Sequence, residues 1–430
     1  MSWLLHTAPP TGLADAPVPP GTKGWRSDSR GGALTARMLR ERPVPLFSKQ
    51  FTFPLAVVDG PALEHNLAEM ARYCAARGVV IAPHGKTTMS PEIAAAQLAA
   101  GAFAITVATV TQALAYHRHG VQRVLVANEV TDPGSLDWLL ETMDADPAFA
   151  PIVCADSVAA VRLLAEAAAA RAPRRPLDVL IELGHPGGRT GARTIDDAVE
   201  VGREVQRSGH LRGVGVTGYE GTLGHAGTPA EAERVHRFCL DLLEVGRRLV
   251  MTGALPQRHI VSAAGSLFFT EVCDALAEAA SHDGVQVVLR SGAYAIHDHG
   301  LYDRVTPSNR GIRDAPTFRP TTTIWAPVLS VPEQGLAILL LGRRDVGFDQ
   351  GLPAPLRHRG PDGALRPIVG AETTELNDQH AFVRLPEGYD VSPGDLLQLG
   401  ISHPCTTFDK WQVLPVVDGE FVVDLIHTFF

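Results

Sequence analysis

The chain has 430 residues, 45% of them hydrophobic and 20% charged, the balance of an ordinary globular protein with room for one large domain and a smaller module. Its formal net charge is −9 with no basic block, which argues against nucleic acid or an anionic membrane surface as a partner. No apolar run is long enough to span a bilayer and Met1–Leu5 is too short for a signal-peptide core. The five cysteines are scattered, so a reducing, cytoplasmic location is expected.

Residues 1–50 are rich in Pro, Gly and Arg and weakly periodic, and read as an extended arm or lead-in. Phe53–Val58 reads as a strand. Asp59–Arg77 reads as a helix, with Leu63, Leu67, Met70 and Cys74 at helical spacing. Apolar, β-branched runs then recur at Val79–Ala82, Ala104–Val107, Arg123–Ala127, Ile152–Ala155, Val179–Leu183, Gly213–Gly218, His259–Ala263 and Val285–Leu289. Helix-like segments lie between them, at Pro91–Ala100, Thr111–Arg118, Ser157–Ala170, Ile195–Arg207, Pro229–Val250 and Leu267–Ala280, and Asp132-Pro133-Gly134-Ser135 has the chemistry of a further helix lead-in. About eight strands separated by helices predict an α/β fold, a parallel (β/α)8 TIM barrel over residues 51–305. A doubly wound sheet shares the alternation, but the even spacing and the strand count favour the barrel. After Tyr302 helix signals become scarce. Strand-like runs at Thr321–Val331, Leu336–Gly342, Ala381–Leu385, Leu396–Leu399, Trp411–Val417 and Phe421–Ile426 predict a mostly antiparallel β domain over residues 306–430, with Leu352–Pro367 as an exposed loop.

Barrel enzymes carry their chemistry at the carboxyl ends of the strands. The first run stops at Pro83 and is followed by His84-Gly85-Lys86. A helix signal comes next, in which Ser90 can cap, Pro91 suits the first turn and Glu92 suits the positive end of the dipole. Partial desolvation at a strand end would free the Lys86 amine for Schiff-base chemistry. The glycine-dense Gly184–Gly191 lacks the Lys-Ser/Thr of a nucleotide P-loop, and reads either as a plain turn or as a loop that presents Arg189 to a ring or a carboxylate. At the last two strand ends, the backbone N–H groups of Gly265-Ser266 and Gly292-Ala293 could jointly hold a phosphate, although Ser266 could equally be a simple helix cap. A lysine at the first strand end and a phosphate cradle at the last two describe a pyridoxal phosphate site.

With these motifs in view, the sequence resembles the alanine-racemase-type, fold type III, pyridoxal phosphate enzymes, and among them the D-serine dehydratase and D-threonine aldolase group. The features that carry the resemblance are Pro83-His84-Gly85-Lys86-Thr87, the Arg189 loop, the Gly265-Ser266 and Gly292-Ala293-Tyr294 turns, and above all Ser402-His403-Pro404-Cys405 through Trp411. It extends roughly from Phe53 to the C-terminus. It implies that Lys86 carries the cofactor, that Arg189 approaches the pyridine nitrogen and that Tyr219 lines the cofactor. It further implies that Gly265, Ser266, Gly292 and Tyr294 surround the phosphate, that His403 and Cys405 bind a divalent metal beside the substrate, and that the protein is a homodimer. Two ligands at i and i+2 on an extended segment share a side, and an imidazole with a thiolate suits zinc, with manganese or magnesium as alternatives. His297-Asp298-His299 has the same spacing but no such role in the family.

The expected function is a metal-assisted lyase that removes water from a small D-amino acid bearing a β-hydroxyl, such as D-serine, to give a 2-oxo acid and ammonia. Lys86 would act as the base. A D-threonine-aldolase-like cleavage to glycine and an aldehyde is the alternative. Aldolases of the family tend to carry aspartate where Cys405 stands, which tilts the reading to the dehydratase. A non-catalytic pyridoxal phosphate binder is a third possibility.

Overall fold

The computed structural model describes residues 12–26, 34–282 and 284–430. Eight parallel strands form one curled sheet. Around it lie Val80–Ile81, Val285–Leu289, His259–Ala263, Leu211–Gly218, Leu177–Leu183, Ala150–Ala155, Arg123–Glu129 and Ile105–Val107. A parallel bridge between His84 and Thr106 closes the ring. The first strand is short, yet the Phe103 and Thr106 N–H groups donate to the carbonyls of Ile81 and Pro83 at 2.7 and 2.9 Å, so the seam is stitched to the mouth.

The barrel interior is filled by Ala82, Ala104, Leu125, Ile152, Cys154, Leu180, Ile260 and Val288, which makes it a packed core and not a pore. The alternate positions Val124, Val126, Val153, Val179 and Ile181 face the surrounding helices. Helix starts follow their local signals: Asp132 accepts from the Ser135 N–H at 2.7 Å ahead of Pro133–Ala145, and Ser90 caps Pro91–Ala99. Among the described residues no helix is long and apolar enough to cross a membrane.

The second sheet has eleven strands, which pair antiparallel except where Val413–Asp418 runs parallel to Leu55–Asp59. Three sequence expectations change here. Leu55–Asp59, read with the barrel, lies in this second sheet between Val413–Asp418 and Thr322–Glu333. The described part of the N-terminal arm is ordered: a helix over Ala36–Glu41 and a strand over Val44–Pro45 follow Val18 and Trp25, and Val18, Trp25, Leu39 and Phe51 are buried against Trp325, Val413 and Leu425. The expected loop Leu352–Pro367 contains an antiparallel pair, Ala354–Arg359 with Leu365–Pro367, and its His358 is buried with Nε2 3.0 Å from Asp395 Oδ2. Its arginines and prolines masked a strand pattern that only its partner Leu396–Gly400 completes.

Candidate active site

Pro83 ends the first ladder, and Gly85–Thr87 make one tight turn. A Cβ on Gly85 would lie 2.6 Å from the Tyr116 hydroxyl, which donates to the Gly85 carbonyl at 2.7 Å. Glycine therefore lets this turn rest on Tyr116 and carry Lys86 into the barrel mouth. There Lys86, Arg189, Tyr219, Gly265, Ser266, Gly292, His403 and Cys405 line one cavity of about 450 Å³. The Arg189 loop is folded back by Thr190 O–H donating to Glu182 at 3.0 Å and Gly191 N–H to Asp156 at 3.2 Å, and the Arg189 guanidinium lies 4.7 Å from the centre of the Tyr219 ring.

Tyr294 does not line this cavity. Its side chain is buried in the helix-facing core, with its hydroxyl accepting from Gln97 at 3.3 Å and its ring 5.7 Å from Phe318. His297 and His299 also lie outside it. The Gly265 N–H is already engaged, since the buried Glu220 carboxylate accepts from it at 2.5 Å and from Ala264 N–H at 3.0 Å. That clamp holds Ala264 at φ +79°, a conformation rare outside glycine. The Ala293 N–H donates to Ser266 Oγ at 3.3 Å. Among the described residues, the backbone N–H groups of Ser266 and Gly292 remain without hydrogen bonds. A Cβ on Gly292 would lie 2.4 Å from the His84 carbonyl oxygen, so glycine there keeps a cradle open against the first strand end.

Other residues of the cavity went unassigned in the sequence reading. Arg290, directly after the last barrel strand, is 8% exposed and donates to Thr217, to Ser262 at 3.3 Å and to the Gly218 carbonyl at 2.6 Å. Among the described residues it has no carboxylate within ion-pair distance, although its charge acts on the buried Glu220, and its place on the cavity wall puts a fixed positive charge beside any ligand there. Its position at a strand end was the available signal. His84, Thr87, Gln112 and Tyr302 also line the cavity. Burial drives the His84 imidazolium well below its usual range, and His84 Nδ1 is buried without a partner among the described residues.

At the cavity wall formed by the second domain, Cys405 Sγ is 3.3 Å from Thr87 Oγ1, and His403 Nδ1 is 2.7 Å from Asp349 Oδ2. Burial disfavours the charged form of both His403 and Cys405, but their mutual hydrogen bond and charges reverse this. They lift His403 to about 9, with Asp349 helping, and lower the Cys405 thiol. An imidazole and a thiol inclined to ionise are a donor set that fits a borderline-soft divalent ion. Among the described residues no cluster of three or more His, Cys, Asp or Glu side chains could hold a metal, so an ion held by this pair would have to draw its other ligands from water or substrate. The open cradle at Gly292, the free Ser266 and Gly292 N–H groups, the buried Arg290 and the lysine in the same mouth likewise fit a phosphorylated pyridine aldehyde.

The alanine racemase N-terminal domain family matches residues 58–282, and a serine dehydratase-like domain matches residues 321–417. The chain is 34% identical over 394 residues to the D-threo-3-hydroxyaspartate dehydratase of Delftia sp. (strain HT23), covering 85% of this chain and 95% of that protein. It is 30% identical over 385 residues to the D-threonine aldolase of Arthrobacter sp, covering 86% and 92%. Among solved structures, the D-threonine aldolase of Filomicrobium marinum aligns with a TM-score of 0.75 at 26% identity, covering 88% of this chain and 95% of that one.

Proposed function

Because the chain belongs to the fold type III pyridoxal phosphate enzymes, with an alanine racemase N-terminal domain and a serine dehydratase-like domain, we propose that it eliminates water from a small β-hydroxy D-amino acid, D-serine among them, giving a 2-oxo acid and ammonia. The observation that carries this reading is the single cavity in which Lys86, the Ser266 and Gly292 turns, and the His403–Cys405 pair meet.

In this reading pyridoxal phosphate, held by Lys86 and by the N–H groups of Ser266 and Gly292, supplies a ring over which negative charge at Cα is delocalised. A divalent ion, zinc first, held by His403 and Cys405, supplies a Lewis acid at the β-oxygen. The Lys86 amine takes the Cα proton. Arg290, buried and tethered in the cavity wall, would offer its guanidinium to the ring's polar edge. Its burial favours it for that place over Arg189, which is exposed and stacks on Tyr219. Gly265 shapes the wall, and Glu220 fixes it. The unsaturated product loses its nitrogen by hydrolysis, which balances the reaction as one amino acid to one 2-oxo acid and one ammonia. The protein would work as a cytoplasmic homodimer.

Cleavage of the Cα–Cβ bond is the second reading, favoured by the likeness to D-threonine aldolases. The 34% identity to a dehydratase and the thiol ligand favour elimination. A D-threo-3-hydroxyaspartate dehydratase with a cysteine replaced by alanine has been solved in a metal-free form. Incubation with D-threonine and metal separates the two. Ammonia with 2-oxobutanoate supports elimination, whereas glycine with acetaldehyde establishes the aldolase.

A further inference from the structure

We propose that Asp349 orients His403 as a ligand and thereby sets how tightly the site holds its metal ion. This rests on the reading of His403 and Cys405 as the metal pair.

Asp349 Oδ2 lies 2.7 Å from His403 Nδ1. An ionised carboxylate can only accept there, so Nδ1 carries a proton and Nε2 is the ring nitrogen left to face a metal ion. The carboxylate is fixed in turn, because Asp349 Oδ1 accepts from the Thr406 hydroxyl at 2.6 Å. The segment carrying Asp349 is laced to the ligand turn: Gly347 N–H donates to Thr407 Oγ1 at 3.0 Å, Ser402 O–H donates to the Gly351 carbonyl at 2.6 Å, and Thr407 O–H donates to the His403 carbonyl at 2.8 Å. A Cβ on Gly347 would lie 2.3 Å from Thr406 Oγ1 and 3.1 Å from the His403 carbonyl oxygen, so only glycine allows this approach.

As an ion pair the contact is worth little to folding, since the Asp349 side chain is 42% exposed. Its effect is directional. A hydrogen bond from the second ring nitrogen to a carboxylate fixes tautomer and ring angle and strengthens the lone pair, and losing such a partner typically weakens metal binding about 10- to 100-fold. With two protein ligands among the described residues, the aim of each one counts for more.

The experiment titrates the cofactor-loaded protein with zinc against a competing chromophoric chelator and records the visible cofactor absorbance alongside. Asp349→Ala should bind zinc about 10- to 100-fold more weakly with that absorbance unchanged, which shows that the fold and cofactor site survive. Asp349→Asn keeps an acceptor but loses the charge and should fall between. Thr406→Val, a gentler change that leaves the carboxylate in place, should weaken zinc binding by a smaller factor. His403→Ala is the control. If His403→Ala weakens zinc binding while Asp349→Ala and Thr406→Val both match wild type, the inference is overturned and the metal pair stands. If His403→Ala itself binds zinc as wild type does, the reading of the metal pair is overturned instead.

Discussion

The thiol of Cys405 lies 3.3 Å from the hydroxyl of Thr87, although 318 positions separate them. Thr87 follows Lys86 in the turn that ends the first barrel strand, and Cys405 belongs to the β domain. A second tie lies close by, where Phe429 N–H donates to the Met89 carbonyl at 3.0 Å. Lys86 and the His403–Cys405 pair therefore meet in one cavity at a seam between the barrel and the β domain, and neither part supplies the whole of its lining.

Lys86→Ala removes the only group proposed to bond the cofactor aldehyde. The purified variant should lack the visible absorbance of the bound cofactor and lose at least about a hundredfold in turnover, the low end for a positioned base. An unchanged spectrum would falsify the cofactor assignment.

Chelation separates the two halves of the site. Thorough treatment with a chelator should abolish turnover and leave the cofactor absorbance largely intact, and zinc should restore activity. His403→Ala should behave as the chelated protein does. Full turnover after thorough chelation removes the metal from the reaction, whereas full turnover in His403→Ala shows that His403 is not its ligand.

Gly292→Ala tests the cradle. The added Cβ would stand 2.4 Å from the His84 carbonyl oxygen and 2.9 Å from His84 Cβ, and the carbonyl, being backbone, cannot swing aside. Overpacking of this kind costs about 1–3 kcal/mol. Thermal unfolding should register that loss, and equilibrium dialysis should show weaker cofactor binding. A variant that retains cofactor like wild type places the phosphate elsewhere.

Glu129→Gln should change how stability depends on pH. Both Glu129 oxygens are buried, and neither meets an N–H or hydroxyl donor among the described residues. Burial, followed by the hydrogen bond and charge of Glu182, pushes this carboxyl from the usual 4.5 up to about 9. The folded protein therefore holds a proton that the unfolded chain has released. The resulting stability is whole below about 4.5 and is lost as pH climbs to about 9. The wild-type unfolding midpoint should fall across that window more steeply than that of Glu129→Gln. Parallel curves would mean that Glu129 titrates normally.

The sequence by itself determined the alternation of strand and helix, the lysine after the first strand and the glycine turns at the last two, while the His403–Cys405 pair came from the family resemblance and sits where the chain turns into a short helix, not on an extended segment. These signals are local: side-chain period, β-branching, caps and spacing act within a few residues of each other. His259–Ala263 and Val285–Leu289 could be read to the residue for that reason. Only the tertiary structure decided the rest. Leu55–Asp59 has an apolar run that any sheet would accept, and its partners at Thr322–Trp325 and Val416–Val417 placed it in the second domain. That the Gly265 N–H is occupied depends on Glu220, 45 positions away, and the aim of His403 depends on Asp349, 54 positions away. Long-range pairing and donor occupancy are set by how the chain returns upon itself, which no local pattern encodes.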